Sequence, residues 1–472
     1  MPGPPGAPQR PPLAPAVRVG AAVLLAALGL AAGTLAAGGG SQKLVLAGAA
    51  ALVYAALFVW QPELAILGYI ALRPLVDAFV FQGVGGFSLG ELWGFGLIAS
   101  ACLFLIVQAR DREEPLKLSL VPLAFLFFLA ALTFFRPEIK VAVAAWTKVA
   151  SWVLVLMVCE RISRDRRGQR RCFNAAAVMV LTLLLAVGIM VAQGRFGAAF
   201  YSVPIRRVSG QLPHPLSVGA VLLLPFTLTA LLFVRPRLLA LAGAVGLCVA
   251  VVASFVRTAY VGAVIVLVSL VAAGAWAGTK ARLVALLVLG AALAIGWTVR
   301  GSIATRFSDL ESLSSSGTAF GSAGSGRVDI WTAAWRTAFD SVPHALTGRG
   351  PAGAATAMRA AAGFNVGAQN DFLDFVLTGG LVLGVCYLVL LVWMALAPVA
   401  LLRDPGQSAP AKTFAALTLG TVAAFAVMSM INGIATYQPI IAVGLLVGLA
   451  RGMALTPGDT FLDDPAPGPD TG

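Results

Sequence analysis

Apolar runs of about twenty residues, parted by short polar or basic links, recur along almost the whole chain. A hydrocarbon core of roughly 30 Å needs about 20 apolar residues per helix, and a helix satisfies all its backbone groups within one segment. The pattern predicts spans at Val17–Gly38, Leu44–Trp60, Leu64–Val80, Leu89–Gln108, Leu118–Phe135, Val141–Cys159 and Phe173–Ala192. It predicts seven more at His214–Val234, Leu238–Phe255, Ala259–Ala277, Arg282–Val299, Phe372–Leu401, Phe414–Ile431 and Gln438–Ala450. The expected fold class is therefore an all-α polytopic membrane protein of about 14 transmembrane helices, with one large external loop carrying short amphipathic helices.

Residues 1–16 are rich in Pro and Gly without periodicity and read as a disordered tail, as do residues 452–472. Between them, 17–451 reads as a single transmembrane domain with external loops at 193–213 and 300–371. The small residues closing Val17–Gly38 resemble a signal-peptide cleavage region, but the run is long enough to span and is read as an uncleaved first helix.

Composition narrows the class further. Of 472 residues 59% are hydrophobic and 11% charged, against roughly a quarter charged in soluble domains, so soluble enzyme folds are excluded. The net charge of +13 comes from basic residues between apolar runs, which membrane topology explains without nucleic acid as a partner. Cys102, Cys159, Cys172, Cys248 and Cys386 lie in or beside apolar segments with no close pair, and His214 and His344 are the only histidines, so no metal site is expected. The densest basic run, Arg161 to Arg171, shares one side with Arg110, Arg112, Lys117, Arg235, Arg237, Lys280, Arg282, Arg403, Lys412 and Arg451. By the positive-inside rule that side is cytoplasmic, and an even number of spans returns both termini to it.

Two external stretches break the charge rule. Loop 193–213 carries Arg195, Arg206 and Arg207 and no acid; segment 300–371 carries Arg306, Arg327, Arg336, Arg349 and Arg359 amid Gly, Ser and Ala. Two readings stay open: contact with lipid headgroups or with Asp309, Glu311, Asp329 and Asp340, or an anionic ligand at the outer surface. Arg257 stands at the outer junction of two spans, where snorkelling and a partner anion are the alternatives. Arg73 and Asp77, four residues apart, share a helical face and read as a structural ion pair. Val328, Ile330, Trp331, Ala334, Trp335 and Phe339 recur at helical spacing and predict an amphipathic surface helix, with a second short helix at Ala354–Ala362.

Four separated motifs at these positions resemble the O-antigen ligase and polysaccharide polymerase superfamily of membrane glycosyltransferases. Arg207-Val208-Ser209-Gly210 before His214-Pro215 is similar to its Arg-x-x-Gly stretch, and Ser254 to Arg257 to its Ser-x-x-Arg junction. Arg327 to Trp335, running to Gly348-Arg349-Gly350, is similar to the start of its large external loop. Gln369-Asn370-Asp371, followed by Gly379-Gly380-Leu381 and Gly384, is similar to its His-Asn entry into the next span. The resemblance covers roughly 203–392, and the ligases' histidine is Gln369 here. An amide accepts no proton, so a general base at this position is in question, with His344 and Asp371 as alternatives; this tilts the expectation from ligase to polymerase.

The resemblance implies a bacterial inner-membrane enzyme whose donor is a polyprenyl-pyrophosphate-linked oligosaccharide and whose acceptor is a glycan or a lipid. It also implies membrane lipids and a chain-length regulator as partners, inversion at the anomeric carbon, and no cofactor. Under it Arg206, Arg207, Arg257 and Arg327 bind pyrophosphate, with Arg257, Arg327, Gln369 and Asn370 the catalytic set. A transporter or flippase of lipid-linked oligosaccharide or another anionic solute is the competing reading. Transporters, however, bury their polar sites near the midplane within internal repeats, which this chain does not show.

Overall fold

The computed structural model describes residues 52–78, 83–84, 87–110, 119–134, 138–194, 213–234, 236–298, 327–362, 367–435, 440–456 and 460–463. The expectations for Val17–Gly38, both tails and most of loop 193–213, Arg206 and Arg207 included, lie outside them, as do the side chains of Asp77, His214 and Arg327. What is described is helical apart from a two-residue hairpin pairing, Gly83–Val84 with Phe87–Ser88. The helices are α1 (Pro62–Ala71), α2 (Arg73–Ala78), α3 (Leu89–Arg110), α4 (Leu120–Phe134), α5 (Ile139–Ile162), α6 (Arg166–Ala192), α7 (Pro213–Phe233) and α8 (Arg237–Ala253). They continue as α9 (Arg257–Ala277), α10 (Thr279–Thr298), α11 (Arg327–Ala338), α12 (Val342–Thr347), α13 (Gly350–Ala362), α14 (Asp371–Arg403), α15 (Ala409–Asn432) and α16 (Ile441–Ala454). Seven of the described helices (α3, α5, α6, α7, α9, α14 and α15) are long and apolar enough to cross a membrane, and α1, α4, α8 and α16 are shorter apolar helices.

Two expected spans are interrupted. Leu64–Val80 divides at Leu72 into α1 and α2, where Pro74 follows Arg73; proline removes a backbone donor and clashes with the preceding turn. In α14, Gly379 and Gly380 leave helical dihedrals, Gly380 at φ 71°, so the opening segment is offset from the long apolar remainder.

The bundle has two unlike ends. At one, Arg171 pairs with Glu63, Arg451 donates to Glu160 at 2.7 Å and to Ser119 at 3.1 Å, and Arg164 lies 3.7 Å from Glu160. Arg451 also covers the Trp393 ring. Asp165 caps α6 by accepting from Gly168, which extends that helix through the arginine run, while Gln169 holds the backbone of Phe461. Of the arginines expected on one side, Arg164, Arg171 and Arg451 share this end, with Glu160 meeting two of them and Glu63 the third. Away from it, the starts of α9 and α14 and the close of α15 meet, with the link that follows α15 held to the middle of α5 by Trp152.

Between the ends, close helix approach does the packing. In α16, Gly444, Gly448 and Gly452 recur every fourth residue against the α5 backbone at Trp152, Leu156 and Ser163. A β-carbon at Gly448 would sit 2.5 Å from the Leu156 carbonyl oxygen. In lipid, where apolar surface by itself gives little drive to associate, such small-residue ladders let backbones meet. Gly448→Val is expected to cost about 1–3 kcal/mol through overpacking, seen as a lower unfolding midpoint in detergent. Gly188→Ala, where an added carbon meets nothing within 4 Å, should hold or slightly raise it.

Candidate functional site

The junction carrying Arg257 is built by its own sequence. Ser254 Oγ donates to the Val251 carbonyl at 2.6 Å and accepts from the Val256 amide at 3.1 Å, and the Tyr260 hydroxyl reaches back to Val252 at 2.8 Å. These bonds close α8 and turn the chain through Phe255, whose φ is 55°, directly into α9. Arg257 is the first residue of α9, and its N-cap Val256 supplies no capping side chain. Guanidinium and helix amides thus present positive charge from one spot, a combination that suits an anion.

Arg257's neighbour Thr258 faces Asn432 Nδ2 at 3.5 Å, at the last residue of α15. Just beyond, Asp371, 2% exposed, accepts from the amides of Ile434 at 2.8 Å and Ala435 at 2.7 Å through one oxygen. Asn370 caps α14 by accepting from Leu373 at 3.1 Å and donates to the Met430 carbonyl at 2.9 Å. Asp374 accepts from the Ala368 amide at 2.7 Å, and Trp152 donates to the Ala435 carbonyl at 3.2 Å. The start of α14, the close of α15 and the link that follows α15 are thereby fastened together beside the start of α9.

Helices α11 to α13 pack over this end. Ile330, Ala334 and Ala338 of α11 join Ala354 and Met358 of α13 and Leu373, Val376 and Leu377 of α14 in a second, small core. Of the six apolar positions expected on one face, Ile330 and Ala334 are buried and Trp331 and Phe339 pack against them, while Trp335, 52% exposed, and Val328 point outward. Trp331 Nε1 donates to the Gln369 carbonyl at 3.4 Å, bringing α11 against Gln369, whose φ is 54°. The Arg349 amide bonds the Leu377 carbonyl at 2.8 Å, and Gly380 lies against Leu346 where a side chain would not fit.

In this cap Asp340 is shared between the His344 ring, 2.8 Å away, and the Arg349 guanidinium. The His344 hydrogen bond and the neighbouring Arg349 charge hold its carboxyl below the usual carboxylate range. Its pairing therefore contributes above the ordinary carboxylate pKa of about 4 and is lost as pH falls through the lower folded value.

Of the sequence-derived candidates, Arg257, Gln369 and Asn370 lie at the non-basic end, as does the backbone of α11 that begins with Arg327. Arg206, Arg207 and the Arg327 side chain lie outside the described residues. The alternative bases are engaged, His344 by Asp340 and Ser341 and Asp371 by two amides. Arg73 is buried, lining with Glu91, Lys148, Thr147 and Ser151 a cavity about the size of one water. Sequence reading missed the roles of Asp371 and Asp374; two acids at the head of a long apolar segment were the available signal. Among the described residues no His, Cys, Asp or Glu cluster forms a metal centre.

Residues 242–388 match a family model described as O-antigen ligase. The matched segment, which includes Arg257, Arg327, Gln369 and Asn370, is similar to the O-antigen ligase family and lies in a chain with seven described helices long and apolar enough to cross a membrane. Comparisons with curated proteins and with solved structures return no match.

Asp371→Ala would orphan two buried amides at about 1–3 kcal/mol each. The expected result is a clear fall in thermal midpoint in detergent, whereas Asn370→Ala, losing one cap, costs about 0.5–2 kcal/mol.

Proposed function

We propose that the chain is a membrane glycosyltransferase that polymerises polyprenyl-pyrophosphate-linked glycan at the non-basic end, with polymerase preferred to ligase. The carrying observation is the family match, which spans Arg257, Arg327, Gln369 and Asn370. By the positive-inside rule the basic end faces the cytoplasm; the fourteen spans expected from sequence return both termini to that side.

In this reading an acceptor hydroxyl attacks the anomeric carbon from the face opposite the diphosphate. The new C–O bond forms as the C–O bond to phosphate breaks, and the electron pair leaves with lipid pyrophosphate. Charge concentrates on the departing diphosphate, so fixed guanidinium forks contribute most there. Arg257, Arg207 and Arg327 bind the diphosphate, aided by Arg206 and the uncapped start of α9. Gln369 and Asn370 orient the acceptor, and the hydroxyl proton leaves late, to water or to the departing diphosphate. The scheme calls for no metal.

Supporting this over transport, Arg257, Gln369 and Asn370 occupy helix ends, not mid-helix breaks. Arg257→Ala, Arg207→Ala and Arg327→Ala are each expected to lower polymer synthesis in membranes by at least a hundredfold at equal expression. Normal polymer from all three would refute the arrangement, and vesicle transport of labelled lipid-linked oligosaccharide without polymer would favour a flippase. Gln369→His separates two roles for the amide: gain of transfer points to a ligase-like base, loss to hydrogen-bonded orientation of the acceptor.

A further inference from the structure

A cleft of about 360 Å³ opens between Glu138, at the head of α5, and α13. Arg349, Ala352, Gly353, Thr356, Ala357 and Ala360 complete its lining. It lies at the non-basic end, one helix removed from the opening turn of α14, which α13 also packs against. We propose that this cleft is a glycan subsite in which Glu138 and Arg349 grip hydroxyls of the acceptor sugar; this rests on the transferase reading above.

The chemistry of the lining selects the occupant. A carboxylate accepts from two hydroxyls and a guanidinium donates to two oxygens, so one of each facing a cleft matches the mixed donors and acceptors of a pyranose ring. The Thr356 hydroxyl adds a third polar contact, and the Ala and Gly floor suits the flat C–H face of a sugar. A phosphate headgroup would meet repulsion from Glu138, and an acyl chain would find no large apolar side chain to cover it. The volume lies near the lower bound for small-molecule pockets and is far larger than an ion needs.

The guanidinium of this pair is held in place, and the backbone that carries the carboxylate is strained. Arg349 donates to the Thr337 carbonyl at 3.3 Å and pairs with Asp340, fixing its guanidinium. Glu138 is held at φ 68°, outside the region a glutamate prefers. Backbone strain of this kind costs about 1–3 kcal/mol and persists where surrounding structure enforces it.

The test uses the full-length protein in nanodiscs, fluorescently labelled, on an array of neutral and acidic oligosaccharides. Wild type should bind a subset of them. Glu138→Gln and Ala357→Trp, one removing charge and one filling the cleft, should each weaken that binding at least tenfold, while Arg257→Ala keeps it. No binding, binding retained by both cleft variants, loss in Arg257→Ala, or competition by phosphatidylglycerol vesicles would overturn the subsite. In membranes, Glu138→Gln should raise the KM for acceptor at least tenfold and leave the KM for donor unchanged; equal changes in both would also count against it. Array binding with the expected variant pattern but no transfer by wild type would sink the transferase reading and leave the sugar subsite standing.

Discussion

The carboxylate of Asp371 lies where three helix ends converge, and the geometry of the non-basic end depends on it. The link between α15 and α16 presents the amides of Ile434 and Ala435, which have to be satisfied inside a bundle closed to water. An unpaired buried amide is costly, and one acid that accepts from both fastens α14 to that link. Asn370 and Asp374 repeat the device on either side, toward Met430 and Ala368. The result is a rigid frame at whose edge α9 begins and Arg257 stands. An oxygen that accepts from two amides makes Asp371 a positioning group for this end.

Charge is divided between the ends by different means. At the basic end, carboxylates from α1 and α5 meet arginines from α6 and α16, so cations are neutralised across helices. At the other, the acids serve backbone amides or, in Asp340, hold a guanidinium and an imidazole in the cap. Arg257 opens α9 at that same end, beside the acid-bound amides. The same end holds all three described non-glycine residues with left-handed backbone, Glu138, Phe255 and Gln369. Phe255 and Gln369 each precede a helix start that carries candidate groups, and Glu138 precedes α5.

Much of the architecture was legible in one dimension because lipid imposes a length and a polarity on every span. Apolar runs and basic links gave helices and a basic end, and Ser254 to Arg257 marked a junction closed by hydrogen bonds local in sequence. The motifs from Arg327 to Gly350 and from Gln369 to Gly384 likewise fell inside the segment that matches the O-antigen ligase family. Local chemistry of this sort survives translation into three dimensions.

What the tertiary structure decided depends on partners remote in sequence. Hydropathy cannot show that Asp371 accepts from amides sixty residues away. Nor could it tell that Gly444, Gly448 and Gly452 form a ladder, because their role is set by the α5 backbone pressed against them. The amphipathic stretch of α11 was visible, and packing on α13 and α14 decided which of its positions are covered: Ile330, Ala334 and Ala338 are buried, while Val328 and Trp335 are exposed. Glu138 and Arg349 are more than two hundred residues apart and border one cleft only after α13 folds back over the head of α5. Sequence determines which segments enter the bilayer, through the free energy of transferring each one; packing determines which of their ends meet.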